Sequence, residues 1–245
     1  MSNRVDYAFL HGGGQGSWVW EETIAALHRQ SDGSFGRALA LDAPGCGTKR
    51  DRDTTVLTAD DVVTELLEDI SAAGLHDVLL VGHSQAGQML PLLVERRPEL
   101  FRRLVYVSCA APLPGQTIVQ MVGEEIGWPL DPETHSNEER WRMMFCNDMA
   151  EDQASEFISR LGLDMWPDLV TFGTDWRYDH LGAVPSTYVL CLQDGILPFA
   201  WQEKFAVRFK VDHQVTIDAG HQVMNSRPHS LAEVLRFEVA RPKLR

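Results

Sequence analysis

The six residues Gly82-His83-Ser84-Gln85-Ala86-Gly87 are the part of the chain best suited to do chemistry. The apolar run 77–81 ends in them and an amphipathic segment follows at once. That order reads as a buried strand, a tight turn and a helix. Such a turn needs small residues two places before and two places after the serine, and Gly82 and Ala86 meet the requirement. It lifts the Ser84 hydroxyl clear of the sheet and aims the first helical N–H groups at whatever the hydroxyl attacks. Taken alone, the pattern also fits a Gly-rich turn that carries a surface serine.

A serine is a weak nucleophile until a base takes its proton and a carboxylate orients that base. In a parallel sheet the loops after the strands converge at one edge, so both partners are sought there. His221 follows the apolar run 213–217, and Asp194 follows the run 187–192. The order Ser84, Asp194, His221 is the one expected when these three act together on a strand–turn–helix serine. Asp218 and Asp179 are rival acids. His11 and His83 read as structural hydrogen-bonding groups, and His135, His180, His213 and His229 lack a carboxylate at a matching strand end. Attack on a carbonyl creates an oxyanion that needs two fixed N–H donors. The Gln85 backbone N–H is one candidate, and the loop His11-Gly12-Gly13-Gly14-Gln15-Gly16-Ser17-Trp18 is placed to give the other. That loop has no phosphate-cradling signature.

Six runs rich in aliphatic residues could position these groups: 5–10, 37–41, 77–81, 103–108, 187–192 and 213–217. They are nearly continuous rather than alternating, as in strands covered on both faces. Between them, the segment 58–73 has an apolar stripe at helical spacing, and Thr58 with Asp61 makes a capping pair. The segment 85–97 reads as one helix behind the serine, bent where Pro91 removes a backbone hydrogen bond. A last helix carries Leu231, Val234, Leu235 and Val239 inward. Alternating strands and helices predict an α/β fold, a mostly parallel six-stranded sheet with helices on both faces. The exception is 112–185, which has no convincing strand and many aromatics. It is expected to fold as a helical cap before the penultimate strand, so 1–245 reads as a single domain with a cap insertion. Most cap aromatics should form its own small core; Trp128, Trp166 and Trp176, with Gly12, are the candidate substrate contacts.

Composition narrows the function classes. The net charge of −13 argues against nucleic-acid and anionic-membrane partners. No apolar run is long enough for a membrane span, and the first residues lack a signal-peptide pattern. Cys46, Cys109, Cys146 and Cys191 are scattered, which fits reduced thiols and a cytoplasmic protein. No metal-ligand spacing is present, and neither metal nor cofactor is expected.

Together, His11-Gly12, Gly16-Ser17-Trp18, Asp42-Ala43-Pro44-Gly45-Cys46-Gly47, the Ser84 turn and Ala219-Gly220-His221 resemble the α/β-hydrolases nearly end to end. The first loop is similar to that of the small esterase and hydroxynitrile-lyase branch. The resemblance implies that Gly13 is the second oxyanion donor, and that the chain begins at the family's third strand without two leading antiparallel strands. The lyases of this branch carry a threonine after the loop histidine and a lysine after the catalytic one; here those places hold Gly12 and Gln222. Gln85 also departs from the apolar or aromatic residue often found after the nucleophile. These features imply a carboxylic ester hydrolase acting on a small acyl compound with an apolar or aromatic portion. A lactonase, an amidase, a lyase or cofactor-free oxygenase on the same pocket, and a non-catalytic ligand-binding protein are the alternatives. Oligomeric state is left open.

Overall fold

A computed structural model describes residues 4–30, 33, 35–131 and 133–241. In chain order its elements are β1 (Val5–Leu10), α1 (Glu21–Gln30), β2 (Phe35–Leu41), α2 (Ala59–Ala72), β3 (Val78–His83), α3 (Met89–Arg96) and β4 (Phe101–Val107). The helices α4 (Ile118–Gln120), α5 (Asn137–Phe145), α6 (Glu151–Arg160) and α7 (Asp168–Thr171) follow. The chain then returns through β5 (Ser186–Cys191), α8 (Phe199–Arg208), β6 (His213–Ile217), α9 (Val223–Ser226) and α10 (Pro228–Ala240). The strands form one sheet in the order β2-β1-β3-β4-β5-β6, and every pairing is parallel.

Two apolar layers hold the sheet between helices. On β1, Tyr7 and Phe9 pack with α1 and α10 residues such as Leu27, Leu231 and Leu235. Ala8 and Leu10 face the other way, with Leu66 of α2, Leu93 of α3 and Phe205 of α8. This is the period-two alternation of a strand covered on both sides. The inner strands β1, β3 and β5 are accordingly buried along their whole length, whereas the edge strands β2 and β6 are only partly so. Thr58 caps α2 in a reciprocal capping box with Asp61, as its sequence predicts.

Two expectations change. The segment 85–97 is not one bent helix: a 3₁₀ turn, Ser84–Gln88, precedes α3 at Met89. Pro91 therefore lies in the first turn of α3, where a helical N–H has no intrahelical acceptor and its loss costs little. The stretch 112–185 carries no strand among the described residues, as expected, but its aromatics do not make a separate core. Trp166 and Trp176 join the apolar layer that includes Leu10 and Tyr188, and Phe157 joins the opposite one.

Candidate active site

The register of the sheet decides what meets at its C-terminal edge. Leu10 of β1 pairs with Gly82 of β3, His83 with Val107 of β4, Val107 with Val189 of β5, and Cys191 with Ile217 of β6. The loops that begin at His11, Ser84, Ser108, Leu192 and Asp218 thus emerge along one rim. The chain order reverses direction between β1 and β3, the crevice where ligands of open α/β sheets bind. Ser84 stands at that point.

Ser84 has φ +52°, a left-handed conformation rare for a residue with a side chain. The sharp turn it makes leaves little room at its flanks: a Cβ on Gly82 would lie 3.1 Å from that of Ala86 and within 2.5 Å of Leu90. The small-residue requirement read from the sequence is thus a real packing limit. The Ser84 hydroxyl donates to His221 Nε2 at 2.9 Å, and His221 Nδ1–H donates to Asp194 Oδ2 at 2.7 Å. Both the imidazole and the carboxylate are fully buried, while Ser84 keeps partial access to solvent. The other Asp194 oxygen accepts from the Ile196 and Leu197 amides at 2.7 and 2.8 Å, so the carboxylate is fixed at both ends. The rival acids lie elsewhere: Asp218 is exposed and accepts from Gln193, and Asp179 is exposed.

His11 and His83 have structural partners. His11 Nδ1–H donates to the Gly12 carbonyl at 2.8 Å, and its Nε2 accepts from the Ala43 amide at 3.2 Å. His83 Nε2–H donates to the His221 carbonyl at 3.0 Å and so steadies the backbone that carries the base. Burial pushes both imidazoles below the ordinary histidine range, and for His83 the nearby His221 adds to the effect.

The Gly-rich loop reaches the nucleophile. A Cβ on Gly12 would sit 2.9 Å from Ser84 Cβ, so the backbone there touches the serine directly. Gln85 is buried, and its backbone N–H lies in the first turn of the 3₁₀ segment, where helix geometry supplies no acceptor. Its side-chain amide donates to Thr171 Oγ1 of α7 at 3.2 Å.

Of the three candidate tryptophans, only Trp166 makes contact with this machinery. Its indole N–H donates to the Gly12 carbonyl at 3.0 Å, and its ring meets that of His11 edge-on at 5.3 Å. Trp128 is 39% exposed beside Arg140, and Trp176 donates to the Gln116 carbonyl at 3.1 Å. The Arg140 and Gln116 partners both belong to the cap.

Two side chains at the rim carried no signal of their own in the sequence. Ser108, at φ +41°, donates its hydroxyl to Asp194 Oδ2 and lies 3.5 Å from His221 Nδ1. Its place just after β4, on the same edge as the other loops, was the available clue. Phe145 of α5 approaches the His221 ring edge-on at 5.9 Å. The cap holds the acid loop as well, since Asn147 Nδ2 donates to the Gln193 carbonyl at 2.7 Å. Among the described residues no cluster of side chains could hold a metal ion, and no helix is long and apolar enough to cross a membrane.

Known proteins are similar to this chain in sequence and in fold. The alpha/beta hydrolase family model covers residues 8–234. The chain belongs to that family. It is 26% identical over 267 residues to the esterase PIR7B of Oryza sativa subsp. japonica, covering 96% of this chain and 95% of that protein. It is 27% identical over 251 residues to the polyneuridine aldehyde esterase of Rauvolfia serpentina, covering 94% and 93%. Among solved structures, an extracellular α/β-hydrolase from a Paenibacillus species superposes with a TM-score of 0.77 at 19% identity, covering 96% of this chain and 98% of the other. That likeness speaks for the fold.

Proposed function

We propose that this hydrolase cleaves an ester, or a related small acyl compound with an apolar or aromatic portion, through a covalent intermediate on Ser84. The observation that carries the reading is the unbroken hydrogen-bonded line from Asp194 through His221 to Ser84. His221 Nε2 takes the hydroxyl proton as Ser84 Oγ adds to the acyl carbon. Negative charge then develops on the former carbonyl oxygen, for which the N–H groups of Gln85 and Gly13 are the proposed donors. Collapse expels the alcohol, which takes its proton from His221. Water, deprotonated by the same imidazole, releases the acid and restores the serine. Asp194 accepts from Nδ1–H and keeps it pointed away from the reaction, so Nε2 is free to act.

The relatives named above are esterases, and Phe145 beside His221 offers an apolar surface near the acyl group. Gly12 and Gln222 put neither a hydroxyl nor a positive charge where the lyases of the branch carry theirs, which favours hydrolysis over cyanohydrin cleavage. Lactones and amides would follow the same steps with a different leaving group. Four free, buried cysteines suit a reducing compartment, and the cytoplasm is the proposed setting.

A panel of aryl and alkyl esters of graded acyl length, run beside lactones, amides and a cyanohydrin, tests the substrate class. Ester turnover by the wild type, lost in a folded Ser84→Ala variant, is the expected result. Full turnover by that variant, or cleavage of the cyanohydrin alone, contradicts it.

A further inference from the structure

One short segment of the cap is fastened to the loops after β1 and β2, and it leads directly into Trp166. Gly162 N–H donates to the Gly14 carbonyl at 2.9 Å, and Met165 N–H donates to the Gly45 carbonyl at 3.0 Å. Between them the buried Asp164 carboxylate accepts from Gly47 N–H at 2.8 Å, Trp18 Nε1 at 3.1 Å and Arg50 Nε at 2.8 Å. These bonds fasten the segment to the loops after both β1 and β2. The next residue, Trp166, is itself 3% exposed and spends its only polar atom on the Gly12 carbonyl.

That carbonyl belongs to the same planar unit as the Gly13 N–H. No cis peptide occurs among the described residues, so the two groups point in opposite directions across one rigid plane. The flanks of this plane lie against the nucleophile. A Cβ on Gly12 would meet Ser84 Cβ, and one on Gly13 would lie 2.4 Å from Gln85 Oε1. Two glycines in sequence make this peptide free to rotate as a unit unless something holds it. Two donors do: His11 Nδ1–H at 2.8 Å and the Trp166 indole at 3.0 Å both grip the oxygen.

We propose that Trp166 is a positioning residue for the oxyanion site, a cap side chain that fixes the Gly12–Gly13 peptide and thereby aims the Gly13 N–H. The inference rests on the hydrolytic reading, in which that N–H receives developing charge. A bond to the oxygen of one peptide sets the direction of a donor used on its other side, without touching the substrate. It also makes the cap part of the catalytic frame at this end rather than a freely swinging lid.

The test compares wild type with Trp166→Phe, which removes the donor and keeps an aromatic ring, and Trp166→His, which keeps an N–H. 3-Benzothienylalanine at position 166, with sulfur in place of the indole N–H, carries the test if Trp166→Phe does not fold. The readouts are kcat and KM for an ester, together with affinity for a trifluoromethyl ketone that adds to the serine as a tetrahedral oxyanion. Removing an oxyanion donor outright costs about 10²–10³-fold in kcat, so loosening one should cost roughly tenfold. The expected result is a kcat about tenfold lower with KM nearly unchanged, a parallel loss of ketone affinity, and partial recovery in Trp166→His. Unchanged kcat and ketone affinity, or a rise in KM alone, would overturn the proposal. A wild type that neither hydrolyses esters nor takes up the ketone would instead defeat the hydrolytic reading on which it stands.

Discussion

His221 is held from three sides, and each hold has a separate consequence. Asp194 fixes its tautomer, His83 fixes its backbone, and Ser108 donates to the carboxylate oxygen that His221 also uses. Replacing Asp194 by Asn keeps the volume but offers Nδ1 an amide that can favour the wrong tautomer. Asp194→Asn is expected to lower kcat by roughly 10⁴-fold with the fold intact, measured on the best ester of the panel. Ser108→Ala removes one of several bonds to a carboxylate that keeps two backbone donors, so a loss below about tenfold is expected. Equal losses in the two variants would mean that the acid's charge matters less than its exact placement by β4. At this scale much was readable in the sequence. Ser84, Asp194 and His221 each follow a strand, and rims of parallel sheets gather such residues. Ser108 had the same position but a residue type with too many ordinary uses to single out.

The loops depend on each other more than their local sequences suggest. Asp42 holds the first turn in place, accepting from Ser17 N–H at 2.6 Å and from both the amide and hydroxyl of Thr48 at 2.9 Å. Asp164 does the same from the cap. Burial alone would raise the Asp164 carboxyl, but hydrogen bonds from Arg50, Trp18 and Gly47 outweigh it and hold it below the usual carboxylate range. A carboxyl lowered in the folded state adds stability above its unfolded value, about pH 4, and loses it as pH falls through the lower folded value. Asp164→Ala should therefore cost about 2–3 kcal/mol in urea unfolding at pH 7, since the Gly47 and Trp18 donors lose their acceptor. The difference from wild type should shrink below about pH 4. A cost that persists undiminished in acid would point to packing rather than charge. No periodicity marks Asp164, whose partners lie more than a hundred residues away in sequence. The Thr58–Asp61 cap was legible because all its parts fall within one turn. The break at Ser84–Gln88 was not, because apolar spacing cannot separate a 3₁₀ turn from the first turn of an α-helix.

The whole molecule buries polar groups at both ends of its sheet: His11, His83 and His221 at the rim by Ser84, and Glu238 with Arg103 and Thr187 near the strand starts. His11 and His83, both fully buried and both lowered by that burial, stay neutral in the fold while their unfolded counterparts take up protons below about pH 6.5. Groups lowered in the folded state make unfolding easier as pH falls from the unfolded value toward the folded one. Stability is thus expected to decline from about pH 6.5 downward, and the decline should be shallower in His83→Gln, which keeps a donor for the His221 carbonyl. Identical slopes for the two proteins in pH-dependent denaturation would show that His83 is not responsible. The parallel sheet itself was legible, since unbroken apolar runs separated by helical stripes admit few other arrangements. How the cap closes was not. Its aromatics merge with the layers on either side of the sheet, and that outcome depends on three-dimensional fit between distant segments rather than on any local pattern.

The chemistry depends on Ser84 being a nucleophile that His221 makes reactive. Intact-mass spectrometry after exposure to a fluorophosphonate, with peptide mapping of the product, tests it most directly. One adduct per chain, located on Ser84 and formed far more slowly in His221→Ala, is the predicted result. No adduct on the wild type, an adduct on another residue, or an equal rate in His221→Ala would contradict it.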